Sequence, residues 1–116
     1  MEATKQLIMN YWRSWQIADW DLLRSSLHDQ IHFGGQAITA DAFTEMCASG
    51  TPWRDVEMLD SVFTRDSGAL LYEGTDTRTG HRIRVGEFVH VENGRIARMQ
   101  ACFGTGHPDQ TNTDAH

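Results

Sequence analysis

The sequence has few cysteines and no long apolar run, which argues against a disulfide-rich protein and against a membrane protein. Two of its 116 residues are cysteine. That is too few for a disulfide framework, and a reducing compartment would keep both as thiols. No stretch approaches the roughly 20 apolar residues of a membrane helix. The segment Met1–Lys5 also lacks the basic and then apolar layout of a signal peptide. We therefore expect a cytoplasmic protein with no membrane association.

Positive charge is also scarce. The formal net charge is −6 and the isoelectric point is about 5.4, whereas nucleic-acid binding needs a concentrated basic face. The six histidines show no ligand spacing, and neither His-Glu-x-x-His nor Cys-x-x-Cys occurs. We therefore predict no nucleic-acid partner and no metal site.

The first half of the chain is helical in its periodicity. Apolar residues recur at spacings of three and four, which predicts a helix from Thr4 to Ala18. This apolar stripe consists of Leu7, Ile8, Tyr11, Trp12 and Trp15. Asp19 is the predicted cap of a short second helix that reaches Leu27. Thr39 is the predicted cap of a third helix, which Gly50 and Pro52 end.

The second half of the chain alternates in the manner of strands. A short strand, Ile31–Phe33, precedes the third helix, and four longer strands follow it. These are predicted at Trp53–Thr64, Ala69–Asp76, His81–Val91 and Arg95–Phe103. Asn93-Gly94 is a strong signal for a hairpin turn. Helices followed by antiparallel strands predict an α+β fold, as one domain over residues 1–103 with a polar, disordered tail over 104–116. To bury the aromatic stripe of the first helix, the sheet must curl around it, and a curled sheet of this kind forms an apolar pocket.

Glu87 stands out because it interrupts an apolar row. Strand side chains alternate between faces, so Glu87 shares its face with Val85, Val89 and Val91. A carboxyl in such a row is paired, held protonated, or exposed to a cavity. It therefore indicates either a functional pocket or a structural ion pair. Glu73 and Arg84, by contrast, are interpreted as cross-strand surface charges.

Two local patterns are similar to those of a known superfamily. One is Tyr11-Trp12-Arg13-Ser14-Trp15 leading into Ala18-Asp19-Trp20-Asp21-Leu22. The other is Glu87–Val91, a short turn, and then Gly94–Ala101. Together with the element order over residues 4–103, they resemble the nuclear transport factor 2-like superfamily, and within it the SnoaL-like proteins and the ketosteroid isomerases. The resemblance implies a cone-shaped, strongly curled, mostly antiparallel sheet wrapped around N-terminal helices, also described as a cystatin-like roll. It also implies a homodimer formed through the outer face of the sheet.

The resemblance also implies roles for particular residues. Ketosteroid isomerases bind a developing oxyanion with a tyrosine of the first helix and a protonated strand carboxyl, which correspond here to Tyr11 and Glu87. The position of the general base falls near Phe33–Gly35, where no residue can accept a proton. The adjacent His32 is the candidate base, although a histidine at a strand end is more often only hydrogen-bonded.

Three functions remain open from the sequence. The first is an enzyme that transfers protons next to a carbonyl of a hydrophobic substrate, as an isomerase, dehydratase or cyclase, with no cofactor. The second is a binding module without catalysis. The third is a dimeric interaction protein whose pocket is filled by its own side chains. In the first two, the substrate-binding residues would be Trp12, Trp15, Phe33, Val89, Met99 and Phe103.

Overall fold

Three helices lie in the first half of the chain. The computed structural model describes residues 1–50 and 52–106. The helices are α1 (Glu2–Gln16), α2 (Trp20–Ser25) and α3 (Ala40–Ser49). Both predicted caps are confirmed, because the Asp19 side chain accepts from the Leu22 N–H and Thr39 accepts from the Ala42 N–H, each at 3.1 Å. Within the described residues, no helix is long and apolar enough to cross a membrane.

Six strands form one mixed sheet. They are β1 (Leu27–Phe33), β2 (Gln36–Thr39), β3 (Trp53–Phe63), β4 (Ser67–Asp76), β5 (Arg82–Glu92) and β6 (Arg95–Thr105), in the spatial order β2-β1-β6-β5-β4-β3. Every neighbouring pair is antiparallel except β1 and β6, which are parallel. The predicted α+β class is confirmed.

The sequence misplaced the region around β1. Leu27 was assigned to the second helix but begins β1, and the short strand β2 was not predicted at all. The helix ends at Ser25, and Ser26 is its C-cap, with a backbone N–H that donates to the Leu22 and Leu23 carbonyls. β2 is only four residues long and mostly exposed, so it carries little of the alternation by which a strand is recognised. Its residues pair with β1 through the tight turn Gly34-Gly35.

The hairpin between β5 and β6 has the predicted turn. Asn93 and Gly94 have φ values of +50° and +77°. A two-residue hairpin with a type I′ turn needs positive φ at both central positions, which asparagine and glycine adopt most easily. The turn and a one-residue shift in pairing between His90 and Val91 together set the register of β5 against β6, in which Glu87 lies opposite Ala101 and Val85 lies opposite Phe103.

The core fills the space between the helices and one face of the sheet. Its fully buried members include Ile8 on α1, Leu23 on α2, Ile31 on β1, Ile96 and Met99 on β6. Burying one such side chain contributes about 1.5–3 kcal/mol to stability. The core therefore holds α1 against the same sheet face that carries Glu87, which places the residues of the helix opposite the carboxyl.

Two expectations about the outer parts of the molecule were wrong. β6 continues through Gly104 to Thr105, so the tail predicted from residue 104 begins as a strand, and residues 107–116 lie outside the described part of the chain. Glu73 is not on the surface, being 1 % exposed, and its carboxylate accepts from Arg84 Nε at 2.8 Å. The backbone at Gly106 bonds to the Arg82 carbonyl and runs beside the Glu73 carboxylate, which helps to cover it.

Candidate functional site

Tyr11 reaches the sheet from the buried side of α1. Thr4, Ile8, Tyr11 and Ser14 are the buried residues of this helix, at spacings of three and four that place them on one face. The Tyr11 hydroxyl donates a hydrogen bond to Glu87 Oε2 at 2.6 Å. The sequence had suggested that these two residues lie together, and the fold joins them directly across 76 positions of the chain.

Tyr72 is a third member of the cluster that sequence reasoning missed. It lies on β4, and its hydroxyl donates to Glu87 Oε1 at 2.8 Å. The register places Leu70 opposite Glu87 and Tyr72 opposite Val85, so Tyr72 is the diagonal neighbour of Glu87 on the same sheet face. The alternation within β4 was visible in the sequence, but only its register against β5 identifies the contact.

The cluster is buried and has no cationic member. Tyr11, Tyr72 and Glu87 are at most 5 % exposed. Within residues 1–50 and 52–106, no lysine, arginine or histidine forms an ion pair with Glu87. Its partners are two neutral phenols, so the structural ion pair that the sequence left open is not what holds this carboxyl in place.

Burial dominates the electrostatics of the cluster. It raises the pKa of Glu87 above its ordinary value, while the hydrogen bonds from Tyr11 and Tyr72, which favour the carboxylate, oppose the rise. Burial, together with the charge of Glu87, also raises the pKa of both phenols. Tyr11 and Tyr72 therefore stay protonated at physiological pH, and Glu87 is the member of the cluster that titrates.

The cluster forms part of the wall of a cavity of about 480 Å³. This volume lies within the usual range for a small-molecule site. Besides the two tyrosines, six aromatic residues line it: Trp15, Trp20, Phe33, Phe43, Trp53 and Phe103. The rings contact one another, with centroids 6.3 Å apart for Trp15 and Trp53 and 5.2 Å apart for Phe33 and Phe43. The cavity therefore has largely aromatic walls and one carboxyl.

Half of the predicted substrate-binding residues lie in the cavity wall. Trp15, Phe33 and Phe103 line the cavity, and Phe103 is 68 % exposed, which places it at the mouth. Trp12, Val89 and Met99 are not among the lining residues.

The three residues outside the wall belong to the packed core. Val89 pairs with Gly68 on one side and Met99 on the other. A Cβ on Gly68 would lie only 2.7 Å from Ile8 Cδ1, so α1 packs tightly against this part of the sheet. The Trp12 ring packs against Tyr72 at 5.7 Å between centroids. These side chains therefore support the cavity from behind.

His32 lies away from the cavity. It is exposed on β1, where its neighbours Ile31 and Phe33 turn inward. Strand alternation carries the His32 side chain to the opposite face. The structure thus does not bring the candidate base to the Tyr11–Glu87–Tyr72 cluster.

Cys47 of α3 is a lining residue that the sequence did not single out. Burial raises the pKa of its thiol to about 11, with a smaller contribution from the charge of Glu87. The thiol is therefore neutral at physiological pH. The lining residues Trp20 and Trp53 were also missed, because their sequence neighbourhoods show only ordinary apolar patterning.

Comparison with known proteins establishes the fold. Neither a protein-family model nor a curated protein matches the sequence. A candidate ketosteroid isomerase from Kribbella flavida is similar in structure over 93 % of this chain and 82 % of its own, with a TM-score of 0.80 and 15 % sequence identity. The chain has the nuclear transport factor 2-like fold. The likeness at this identity concerns the fold and not the activity.

Two further proteins with this fold carry different names. A SnoaL-like polyketide cyclase from Agrobacterium tumefaciens matches over 99 % of this chain and 98 % of its own, with a TM-score of 0.72 and 14 % identity. An LEH-like epoxide hydrolase from M. tuberculosis matches over 89 % of this chain and 83 % of its own, with a TM-score of 0.70 and 14 % identity. Because the same fold supports unrelated chemistry, the function of this chain must be argued from its own cavity.

Proposed function

We propose that this protein is an enzyme that binds a hydrophobic carbonyl compound in the cavity and transfers a proton at the carbon next to the carbonyl. Isomerisation, dehydration and cyclisation all contain such a step. The observation that carries the proposal is the buried Glu87 carboxyl, which two phenols hold in the wall of an aromatic cavity.

Glu87 would carry the proton. A carboxylate that burial makes more basic is a better proton acceptor, and its pKa is raised toward the range in which acid–base catalysis is efficient. In the forward step the substrate C–H bond breaks, an O–H bond forms on Glu87, and the electron pair moves onto the carbonyl oxygen. The reverse step returns the proton to the same or another carbon.

The phenols would stabilise the charge that this step creates. While Glu87 is a carboxylate, Tyr11 and Tyr72 each donate their one hydrogen to it. After Glu87 has taken the substrate proton, the three side chains carry one O–H each. The two hydrogen bonds within the cluster use two of these O–H groups, so the third can donate to the new oxyanion. The donor thus becomes available in the same step that generates the negative charge, which is the condition for selective stabilisation of the transition state.

Binding without catalysis is the second candidate, and the lining favours it in one respect. Among the described lining residues, Glu87 is the only carboxyl and there is no histidine. A reaction that needs one side chain as general acid and another as general base would therefore lack one of the two. A proton transfer that uses Glu87 alone remains feasible, and a protein that only binds its ligand needs neither an acid nor a base.

Hydrogen exchange distinguishes the two candidates. A panel of ketones with one to four fused rings would be incubated with the protein in D₂O, and deuterium uptake at the carbon next to the carbonyl followed by NMR. Binding would be followed by fluorescence, because Trp15, Trp20 and Trp53 line the cavity. We expect exchange with the wild type and with Glu92→Gln, an exposed glutamate on the same strand, and its loss in Glu87→Gln.

Each other result decides between the candidates. Binding without exchange would overturn the enzyme and support the binder. The absence of ketone binding would overturn the proposed enzyme, and exchange that persists in Glu87→Gln would remove Glu87 from the mechanism.

We also propose that the protein forms a homodimer through the outer face of the sheet. Val62 and Phe88 are 61 % and 60 % exposed there, and both pair with Ala69 in one cross-strand row. Exposed apolar residues grouped in this way are typical of an interface. Sedimentation should give a dimer for the wild type and a monomer for Phe88→Asp, and a monomeric wild type would contradict the proposal.

A further inference from the structure

We infer that the aromatic cavity is also a binding site for hydrophobic ammonium ions, with the Glu87 carboxylate as their counter-ion. This ligand class goes beyond the carbonyl chemistry proposed above. It depends on the cavity and its carboxyl, and not on whether Glu87 moves a proton.

The charge of the cavity is the first observation. Among the lining residues that the structure describes, Glu87 is the only one with an ionisable carboxyl, and none is lysine, arginine or histidine. Its two hydrogen-bond partners, Tyr11 and Tyr72, are neutral. A buried carboxylate is costly without a countercharge. A cation that enters the cavity would supply that countercharge.

The count of hydrogens is the second observation. When Glu87 is a carboxylate, the hydrogens of both phenols are used in the bonds of 2.6 and 2.8 Å to its two oxygens. The remaining lone pairs of the three side chains can only accept. In this state the cluster offers a ketone no donor, whereas an ammonium group brings its own hydrogens.

The aromatic wall is the third observation. The Trp15 ring has its centroid 6.3 Å from that of Trp53 and 5.8 Å from that of Tyr72. The interplanar angles are 63° and 38°, so neither pair of rings is a parallel stack. A cation within about 6 Å of an aromatic centroid is attracted by the ring face, and most strongly by tryptophan. The wall therefore favours a cation that has apolar substituents.

The pH dependence follows from the groups that face Glu87. These are Tyr11 from α1, Tyr72 from β4 and Cys47 from α3, while β6 places the neutral Ala101 opposite. Burial keeps the two phenols and the thiol protonated, so Glu87 is the group that changes charge. Affinity for an ammonium ion should therefore increase as the pH rises through the pKa of Glu87 and then level off. Where Glu87 is protonated beforehand, binding should release one proton.

The test compares two probes of equal length, 4-phenylbutylamine and 4-phenylbutan-1-ol. Both have an apolar ring and a terminal donor, and only the amine is charged between pH 5 and about pH 9. Affinities would be measured by calorimetry and tryptophan fluorescence across that range, in buffers of different ionisation enthalpy so that proton release is counted. At the upper end we expect the amine to bind about tenfold more tightly than the alcohol in the wild type and in Glu92→Gln, since cation–π contacts and the carboxylate both favour it.

The variant and the wild type give independent checks. In Glu87→Gln the preference for the amine should shrink to the part that the aromatic rings supply and should no longer depend on pH, while the alcohol still binds. If that variant does not fold, the ratio of the two affinities in the wild type must still increase with pH. Equal affinities in the wild type, a preference that is undiminished in Glu87→Gln, a wild-type ratio independent of pH, or no binding of either probe would overturn the inference. Amine binding without ketone exchange would uphold it while the proposed enzyme function fails.

Discussion

Glu87→Gln should change how the stability of the protein depends on pH. The glutamine amide resembles a protonated carboxyl, because its oxygen can accept from one tyrosine and its nitrogen can donate to the other. The substitution therefore retains the shape of the cluster and removes its titration. The difference between the unfolding free energies of wild type and variant then isolates the contribution of one buried group, since the other titrating groups cancel.

The magnitude follows from proton linkage. The folded-state pKa of Glu87 is raised above the ordinary value of 4.5. Below that value both the folded and the unfolded state carry the proton, and the pH dependence of wild type and variant is the same. Above it the unfolded chain ionises first and binds fewer protons, so the wild type loses about 1.4 kcal/mol per pH unit relative to the variant. Above the folded-state pKa both states are ionised and the difference becomes constant.

Urea unfolding of both proteins between pH 4 and pH 9 measures the difference. Glu92→Gln is the control, because it removes an exposed carboxylate from the same strand. The pH at which the curve flattens reports the folded-state pKa directly. A difference that does not vary with pH would refute the reasoning. A wild type that gains stability relative to the variant as the pH rises would show that the two tyrosine hydrogen bonds outweigh burial.

One substitution and one chemical modification test the wall of the cavity. Gly74→Ala should destabilise the fold by about 1–3 kcal/mol, because the new Cβ would lie 2.6 Å from Trp53 Cε3 and such overpacking is costly. Thermal unfolding compares it with Gly86→Ala, whose Cβ meets nothing within 4 Å, and equal losses would contradict the steric argument. At pH 8, alkylation of Cys47 should be at least about tenfold slower than that of the exposed Cys102, because burial raises the pKa of Cys47 to about 11. Mass spectrometry of the peptides measures both rates, and similar rates would mean that the cavity opens readily.

The sequence anticipated part of the candidate site for identifiable reasons. Glu87 was recognisable because a carboxyl within an alternating apolar row is unusual. Tyr11 was recognisable by the resemblance, because its place on the helical stripe also fits a core aromatic residue. Tyr72 was not, since its contact depends on a strand register that alternation alone does not specify. Nor could spacing show that His32 points away from the cavity or that Val89 is covered by the core.

Local sequence patterns determined the secondary structure outside β1 and β2, the α+β class and the two helix caps, because each depends on residues within a few positions of one another. The tertiary structure alone decided what surrounds Glu87. The carboxyl meets one phenol from a helix 76 positions away and another from a neighbouring strand. Those contacts arise from the packing of α1 on the sheet and from the pairing of β4 with β5. Burial by the surrounding helices and strands then raises the pKa of Glu87. The chemistry of the cluster therefore depends on the whole fold and not on any single segment.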